Sequence, residues 1–306
     1  MSTAPQIGFE DAEGKLDWLA LVAALEQGHQ LPRAQIVDSF LYRGADTLLN
    51  RSAWIDGLGL AVKVATVFPG NQQQGLPGVH GAVNLLNDAT GTLEAIIDFH
   101  LVTRWKTAGD SLLAALRLAD PAARRILILG AGSVADSLID AYGAGFPAAR
   151  ITLWNRTPAR AQQLAAAHPG VSVADDLEAA VTAADIVSSA TMTTTPLLRG
   201  DWLRPGQHVD LIGAYRPDMR ETDDTALNRA RIFVDSVETT LDHIGELKIP
   251  LAAGTLKREQ IVADFYDLAA FTRELDDITL FKNGGGAHLD LMTGRYILDQ
   301  CRPASE

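Results

Sequence analysis

From Arg125 onward, short apolar runs alternate with helix-length stretches. Residues 126–129, 151–154, 171–174, 186–190, 208–212 and 231–235 read as strands, and 134–142, 158–167 and 176–183 as the helices between the first four of them. Strands separated by helices are not joined by hairpins, so they lie parallel, which restricts this part of the chain to an open sheet wound with helices. The expected fold class is α/β, with a Rossmann-type doubly wound parallel sheet.

Within that pattern Gly130-Ala131-Gly132-Ser133-Val134-Ala135 follows the first strand and opens the first helix. Glycines there permit a tight turn and let backbone N–H groups approach a pyrophosphate at the positive end of the helix. Gly130, Gly132, Ser133, Val134 and Ala135 are therefore candidate dinucleotide contacts. The same glycine pattern also serves simply to pack a helix on a sheet; the preceding strand and following helix favour binding. The second strand ends in Asn155-Arg156-Thr157. An acidic residue at that tip hydrogen-bonds the ribose of NAD, whereas Arg156 can pair with a 2′-phosphate, so NADPH is expected to be preferred, with NADH possible. Ser188, Ala190 and Thr191 fall where an α/β sheet places its ligand crevice, and are expected to line the cofactor.

The N-terminal third is patterned differently. Residues 16–25 read as an amphipathic helix and 58–68 as a strand ended by Pro69-Gly70-Asn71. A polar loop over 71–78, strands at 82–86 and 93–97 around the turn 87–91, and a long helix over 101–118 follow, closed by Asp120-Pro121. After the strand-and-helix region come an apolar segment at 278–281, Gly284-Gly285-Gly286 and a last helix over 289–299. The expected organisation is an α+β domain built from 1–120 with 284–306, and a dinucleotide domain at 121–283.

Composition removes several classes. A net charge of −12 argues against a nucleic-acid or anionic-membrane surface, so any anionic ligand must meet locally placed cations. The lone Cys301 excludes an intramolecular disulfide framework and a cysteine-rich metal site. No apolar run approaches the ~20 residues that span a bilayer, and Met1 to Glu10 lacks a basic-then-apolar signal. The seven histidines lack zinc-helix spacing, so no metal is expected. A reducing cytoplasm is the expected compartment.

Three cations interrupt apolar stretches: Arg43, Lys63 and Lys106. Lys63 stands out, because Ala61 and Ala65, which share its face of a strand, are small and nonpolar. Converging cations suit a carboxylate ligand: arginine binds it in a planar fork, and lysine supplies a point charge or a proton. Crowded ammonium groups also lower one another's pKa, which brings proton donation within reach near neutrality. His80 is open to a substrate or a loop-capping role, and the glycines 284–286 to close backbone approach or hinge motion. Arg216, Asp218, Arg220 and Glu221 read as a structural charge network, and Asp290 as a favourable helix-terminal charge.

These stretches carry a family resemblance. Leu60-Ala61-Val62-Lys63-Val64-Ala65-Thr66-Val67-Phe68-Pro69-Gly70-Asn71, the turn Asp88-Ala89-Thr90-Gly91, Lys106-Thr107-Ala108, Gly130-Ala131-Gly132 and Phe281-Lys282-Asn283-Gly284-Gly285-Gly286-Ala287 are similar to the ornithine cyclodeaminase/μ-crystallin family over nearly the whole chain. The resemblance implies a split substrate and dimerisation domain, a Rossmann domain between its parts, and a homodimer. It places Arg43 on the family's substrate-carboxylate arginine, Lys63 on the catalytic lysine, and Lys106 on a second arginine whose charge is kept and whose fork is lost. Where cyclodeaminases and alanine dehydrogenases carry an aspartate with a proton-transfer role, this chain has Tyr215, which cannot act as a base at neutral pH. The form Gly213-Ala214-Tyr215-Arg216-Pro217-Asp218-Met219-Arg220-Glu221 looks like the μ-crystallin side, whose activity is ketimine reduction.

The implied activity is NAD(P)H-dependent reduction of a small cyclic α-imino carboxylate, Δ1-pyrroline-2-carboxylate first and Δ1-piperideine-2-carboxylate next, to the cyclic amino acid. Ornithine cyclodeamination or an alanine-type amino-acid dehydrogenation is the alternative within enzymes, and a non-catalytic NADPH-binding crystallin the alternative outside them.

Overall fold

The computed structural model describes residues 4–302, the side chain of Gln72 excepted. The chain forms two compact units: one runs to Lys106 and resumes at Gly286, and the other spans Thr107–Gly285.

The first unit is organised by a six-stranded sheet of β1 (Gln6–Ile7), β2 (Gln35–Arg43), β3 (Asp46–Ile55), β4 (Gly59–Val67), β5 (Val79–Leu86) and β6 (Leu93–Asp98), in the order β1-β6-β5-β4-β3-β2. Strands β2 to β6 form an antiparallel meander, and β1 adds parallel to β6. The pleat of β4 buries Ala61, Lys63 and Ala65 on one face and leaves Leu60, Val62 and Val64 half-buried on the other, as the small neighbours of Lys63 anticipate.

Between β1 and β2 lie α1 (Phe9–Ala12) and α2 (Trp18–His29). Asp17 caps α2 by accepting from the Ala20 N–H at 2.8 Å. α2 packs on the C-terminal helix, and Gly28 makes this possible, since a Cβ there would lie 2.6 Å from Met292 Sδ. The β2–β3 hairpin has no counterpart in the sequence reading. β2 is an edge strand exposed along almost its whole length, so its apolar residues do not alternate with polar ones in any way that marks a buried face.

α3 (Phe99–Leu118) starts after β6, with Asp98 accepting from the Leu101 N–H, and runs from the first unit into the second. Pro121 ends the helix, but the boundary between units falls inside it. Beyond Lys106 its side chains and carbonyls belong to the second unit: Ser111 donates to Asp210, and Leu118 O and Thr107 O accept from Thr279 and Asn283.

The second unit alternates β7 (Arg125–Leu129), α4 (Ser133–Gly145), β8 (Arg150–Trp154), α5 (Pro158–Ala167), β9 (Ser172–Val173), α6 (Leu177–Ala183), β10 (Ile186–Ser189), β11 (His208–Leu211), α7 (Asp224–Arg229), β12 (Arg231–Val234), α8 (Val237–Thr240), α9 (Gly245–Ala253), β13 (Ile261–Asp264) and β14 (Thr279–Lys282). The strands form one parallel sheet in the order β13-β12-β14-β11-β10-β7-β8-β9. Strand order reverses between β7 and β10, and that switch point is where a doubly wound sheet opens its ligand crevice. The chain returns to the first unit through α10 (Ala287–Cys301), which packs on α2, β3, β4 and β5. Among the described residues no helix is long and apolar enough to cross a membrane.

Two glycines near the switch point differ in what they tolerate. A Cβ on Gly213 would fall on the backbone of Thr191, whereas one on Gly132 would meet nothing within 4 Å. Gly213→Ala is expected to destabilise the second unit by about 1–3 kcal/mol, the scale of overpacking, and Gly132→Ala to leave thermal stability near the parent. Paired melting curves check both.

Candidate active site

The strand pleat and the returning helix assemble a charged cluster in the first unit. Lys63 of β4 is 4% exposed, and its Nζ lies 2.9 Å from Asp290 Oδ1 on α10 and 3.0 Å from Thr103 Oγ1 on α3. The ammonium also sits 4.5 Å from the centre of the Phe99 ring. Lys106, one helical turn beyond Thr103, places its Nζ 4.0 Å from the same Asp290 oxygen. On the strand beside β4, Arg51 is the register partner of Lys63 and is held by Asp38 of β2 at 2.8 Å.

The charges here are strongly coupled. Burial lowers the Lys63 ammonium to about 8, with Lys106 and Arg51 acting in the same direction and Asp290 opposing them. Burial pushes the Asp290 carboxyl up, but Lys63, Lys106 and Arg51 outweigh it and hold the group below the usual carboxylate range. His288, fully buried on α10, is kept neutral by burial and by the nearby His29, Lys106, Arg51 and Arg33. Lys63, Lys106 and Arg51 thus all act on Asp290, a concentration of cations within a chain of net charge −12.

The structure brings Lys63 and Lys106 together and leaves Arg43 out. Arg43 ends β2, its side chain is 79% exposed, and it pairs with Asp46 at 2.9 Å across the hairpin tip. The sheet register explains the difference: Lys63 lies opposite Arg51, and Arg51 opposite Asp38. Arg43 lies five positions beyond Asp38 on β2, roughly 17 Å along a strand. The arginine beside Lys63 in the sheet is Arg51. Asp290 was legible only as a helix-terminal charge; it is 1% exposed and is the counter-ion of both lysines. A lysine whose strand neighbours are alanines needs such a partner, and that need was the available signal. His80 is exposed on β5.

In the second unit the glycine turn stands at the switch point. Gly130 adopts φ +118°, and a Cβ there would lie 2.8 Å from Ala190 O, so only glycine lets the turns after β7 and β10 touch. The Gly130 N–H donates to Trp154 O at 2.9 Å, which sets the turn beside the end of β8. Gly132 is the N-cap of α4 and offers no side chain to its first turn, so the N–H groups of Ser133, Val134 and Ala135 head the helix without a side-chain cap. Ala135 is buried, closing the helix onto the sheet. This open cradle fits a dinucleotide pyrophosphate. After β8, Asn155 Nδ2 donates to Thr157 O at 2.9 Å, shaping a turn on which Arg156 and Thr157 are exposed.

Two candidate cofactor contacts are turned elsewhere. Ser188 is fully buried and donates to Asp210 Oδ2 at 2.5 Å, because its position in β10 faces the sheet interior. Thr191 gives both its N–H and its hydroxyl to Glu221 Oε1, at 2.8 and 2.9 Å. Glu221 also accepts from Ser189 Oγ and from the N–H groups of Gly213 and Ala214, so it pins the loops after β10 and β11 to each other. Ala190 remains half-buried beside Gly130. The glycines 284–286 are held by packing: Asp235 Oδ2 accepts from the Gly285 N–H at 2.6 Å, and a Cβ on Gly284 would strike the Thr240 hydroxyl. Arg216 pairs with Asp218 in solvent, and Tyr215 is 59% exposed.

A parallel sheet in this order, a capless helix start behind glycines and a chain whose tail rejoins its N-terminal domain define a class: nicotinamide-dependent oxidoreductases with a split partner domain. The ornithine cyclodeaminase/mu-crystallin family model matches residues 55–305, and the chain belongs to that family. It is 52% identical over 306 residues to the Delta(1)-pyrroline-2-carboxylate reductase of Paracoccus denitrificans, covering 97% of each chain. Identity to the ketimine reductase mu-crystallin of Mus musculus is 32%, over 78% of this chain and 75% of the relative. Among solved structures, Thermococcus litoralis Delta(1)-pyrroline-2-carboxylate reductase in complex with NADH and L-proline superposes with a TM-score of 0.86 at 23% identity, covering 96% of both chains. An archaeal alanine dehydrogenase dimer with bound NAD gives 0.88 at 23%, over 97% and 95%. These two confirm the fold.

Arg43→Ala removes an exposed pair, which is worth at most about 1 kcal/mol. The variant is expected to retain the parent's thermal stability and KM. A substrate titration beside a melting curve checks this, and a tenfold rise in KM would return Arg43 to the site.

Proposed function

We propose that this chain reduces a cyclic α-imino carboxylate to the cyclic amino acid, with Δ1-pyrroline-2-carboxylate the preferred substrate and Δ1-piperideine-2-carboxylate the next. The observation that carries the reading is the buried Lys63 ammonium, held by Asp290 with Lys106 and Arg51 acting on the same carboxylate. The 52% identity to a Delta(1)-pyrroline-2-carboxylate reductase supports it.

Arg51 and Lys106 neutralise the substrate carboxylate, and Lys63 Nζ donates to the imine nitrogen. Proton transfer from that ammonium yields the ring N–H, and a pKa brought down to about 8 makes the transfer feasible near neutrality. The reduced nicotinamide, when bound, supplies the hydride taken up at C2. The N–H groups of Ser133, Val134 and Ala135 would hold its pyrophosphate, and Arg156 the 2′-phosphate of NADPH. Reversal toward ornithine cyclodeamination is disfavoured by Tyr215, a phenol where a carboxylate base would be needed.

A homodimer belongs to this reading, supported by Val37, Phe40, Leu41 and Tyr42, which lie exposed on the edge strand β2. The free thiol of Cys301 suits a reducing compartment, and we place the protein in the cytoplasm.

NADPH absorbance with purified protein tests the activity. Rapid decay with the five-membered imine, slower decay with its homologue, and no turnover of ornithine with NAD or of pyruvate with ammonia and NADH are expected. Ornithine-dependent proline formation would overturn the assignment. Lys63→Ala is expected to lower kcat by on the order of 10²–10⁴, and Arg51→Ala mainly to raise KM. Arg156→Ala is expected to erode the preference for NADPH over NADH by about 1–3 kcal/mol, read from titrations of both cofactors.

A further inference from the structure

We infer that Asp290 is a positioning residue for the reduction: its Oδ1 gathers the Lys63 and Lys106 ammonium groups and leaves Lys63 with one N–H to offer a substrate. The inference rests on the assignment of Lys63 as proton donor.

An ammonium has three N–H groups. Two of those on Lys63 go to Asp290 Oδ1 at 2.9 Å and Thr103 Oγ1 at 3.0 Å, which fixes the direction of the third. The carboxylate that does this is itself held firmly. α10 is buried along most of its length, and close packing locks it in place: Gly28 lies against Met292, and Gly294 against Leu85.

A second observation separates Asp290 from three other buried carboxylates of this chain, Asp210, Glu221 and Glu246. Asp210 accepts on both oxygens, from Ser111, Ser188 and Tyr142. Glu221 and Glu246 likewise accept on both, from hydroxyl and backbone N–H groups. Asp290, equally buried, has no hydrogen-bond partner on Oδ2 and meets only ammonium groups on Oδ1. A carboxylate placed for stability alone saturates its lone pairs. This one is spent on charge and direction.

The groups facing Lys63 fix the sign of the effect. Lys106 and Thr103 come from α3, Arg51 from β3 and Asp290 from α10, while His288, also on α10, is acted on by His29, Lys106, Arg51 and Arg33. Asp290 provides the negative charge acting on Lys63, and Lys106 and Arg51 both oppose the ammonium. Without the aspartate, Lys63 loses its proton at lower pH, so the alkaline limb of activity moves to the acid side.

The test is kcat against pH with Δ1-pyrroline-2-carboxylate for the parent, Asp290→Asn, Asp290→Glu and Lys63→Met, with NADPH affinity measured separately by fluorescence. The parent is expected to lose activity above pH ~8, where Lys63 deprotonates. In Asp290→Asn the limb is expected to move down by about one pH unit or more, the effect of an opposite charge at this range, with kcat at pH 7 at least tenfold lower and NADPH affinity unchanged. Asp290→Glu keeps the charge but displaces the oxygen, so it should hold the limb in place and lower kcat several-fold. Should Asp290→Asn fail to fold, a parental kcat in Asp290→Glu overturns the inference on its own. An unshifted limb in Asp290→Asn beside an inactive Lys63→Met overturns the role of Asp290 alone. Parental kcat and limb in Lys63→Met overturn the proton-donor assignment and this inference with it.

Discussion

The contact between Lys63 and Asp290 joins parts of the chain 227 residues apart, and it decides what the first unit can be. A lysine on the covered face of a sheet is tolerable only with a counter-ion, and breaking a buried pair by removing one partner costs about 3–5 kcal/mol. The last helix must therefore come back to the first sheet. Much else in the unit supports that return, including the bare Gly28 that admits Met292 and the small residues that flank Lys63 on β4. The arrangement gives up some stability relative to an apolar core and gains a charged group held out of water.

The second unit handles buried charge by another route. Asp210 and Glu221, fully enclosed, have their carboxyls raised by burial to about 6 and about 7, and the buried Lys282 together with hydroxyl and backbone N–H groups acts against that rise. Around Glu221 these donors come from the segments after β10 and β11, so the carboxylate stitches together the carboxyl ends of two strands beside the glycine turn. The same edge carries the close approach of Gly130, after β7, to Ala190, after β10.

How much of this was legible in the sequence follows from what each element buries. The central strands β10, β11 and β14 are buried at every position, and apolar-rich runs between helix-length stretches mark out the sheet, while α5 starts and stops at Pro158 and Ala167 as its punctuation indicates. β2 is exposed on both sides and left no such trace, so the hairpin, and with it the register that puts Arg51 beside Lys63, was out of reach. Arg43 was carried over by likeness of residue type and place in the chain, which cannot count residues around a turn. Lys63 could be picked out because a cation among alanines conflicts with its neighbours, while Asp290 hid because a carboxylate in the first turn of a helix is ordinary. Ser188 and Thr191 lie at the right end of the right strand, yet which way a side chain points there depends on the buried carboxylates beneath, and those belong to distant sequence.

The split of the first unit between the two ends of the chain has a consequence for biosynthesis. Proteins emerge N-terminus first, and a domain that is continuous in sequence can fold as soon as it clears the ribosome. The stretch Thr107–Gly285 meets that condition; the sheet that carries Lys63 does not, although it is made earlier. Until α10 is released, that sheet lacks both its cover and the carboxylate that neutralises its lysine. The sheet is thus made before the second unit but matures after it, and the charged cluster comes into being only once α10 has been made.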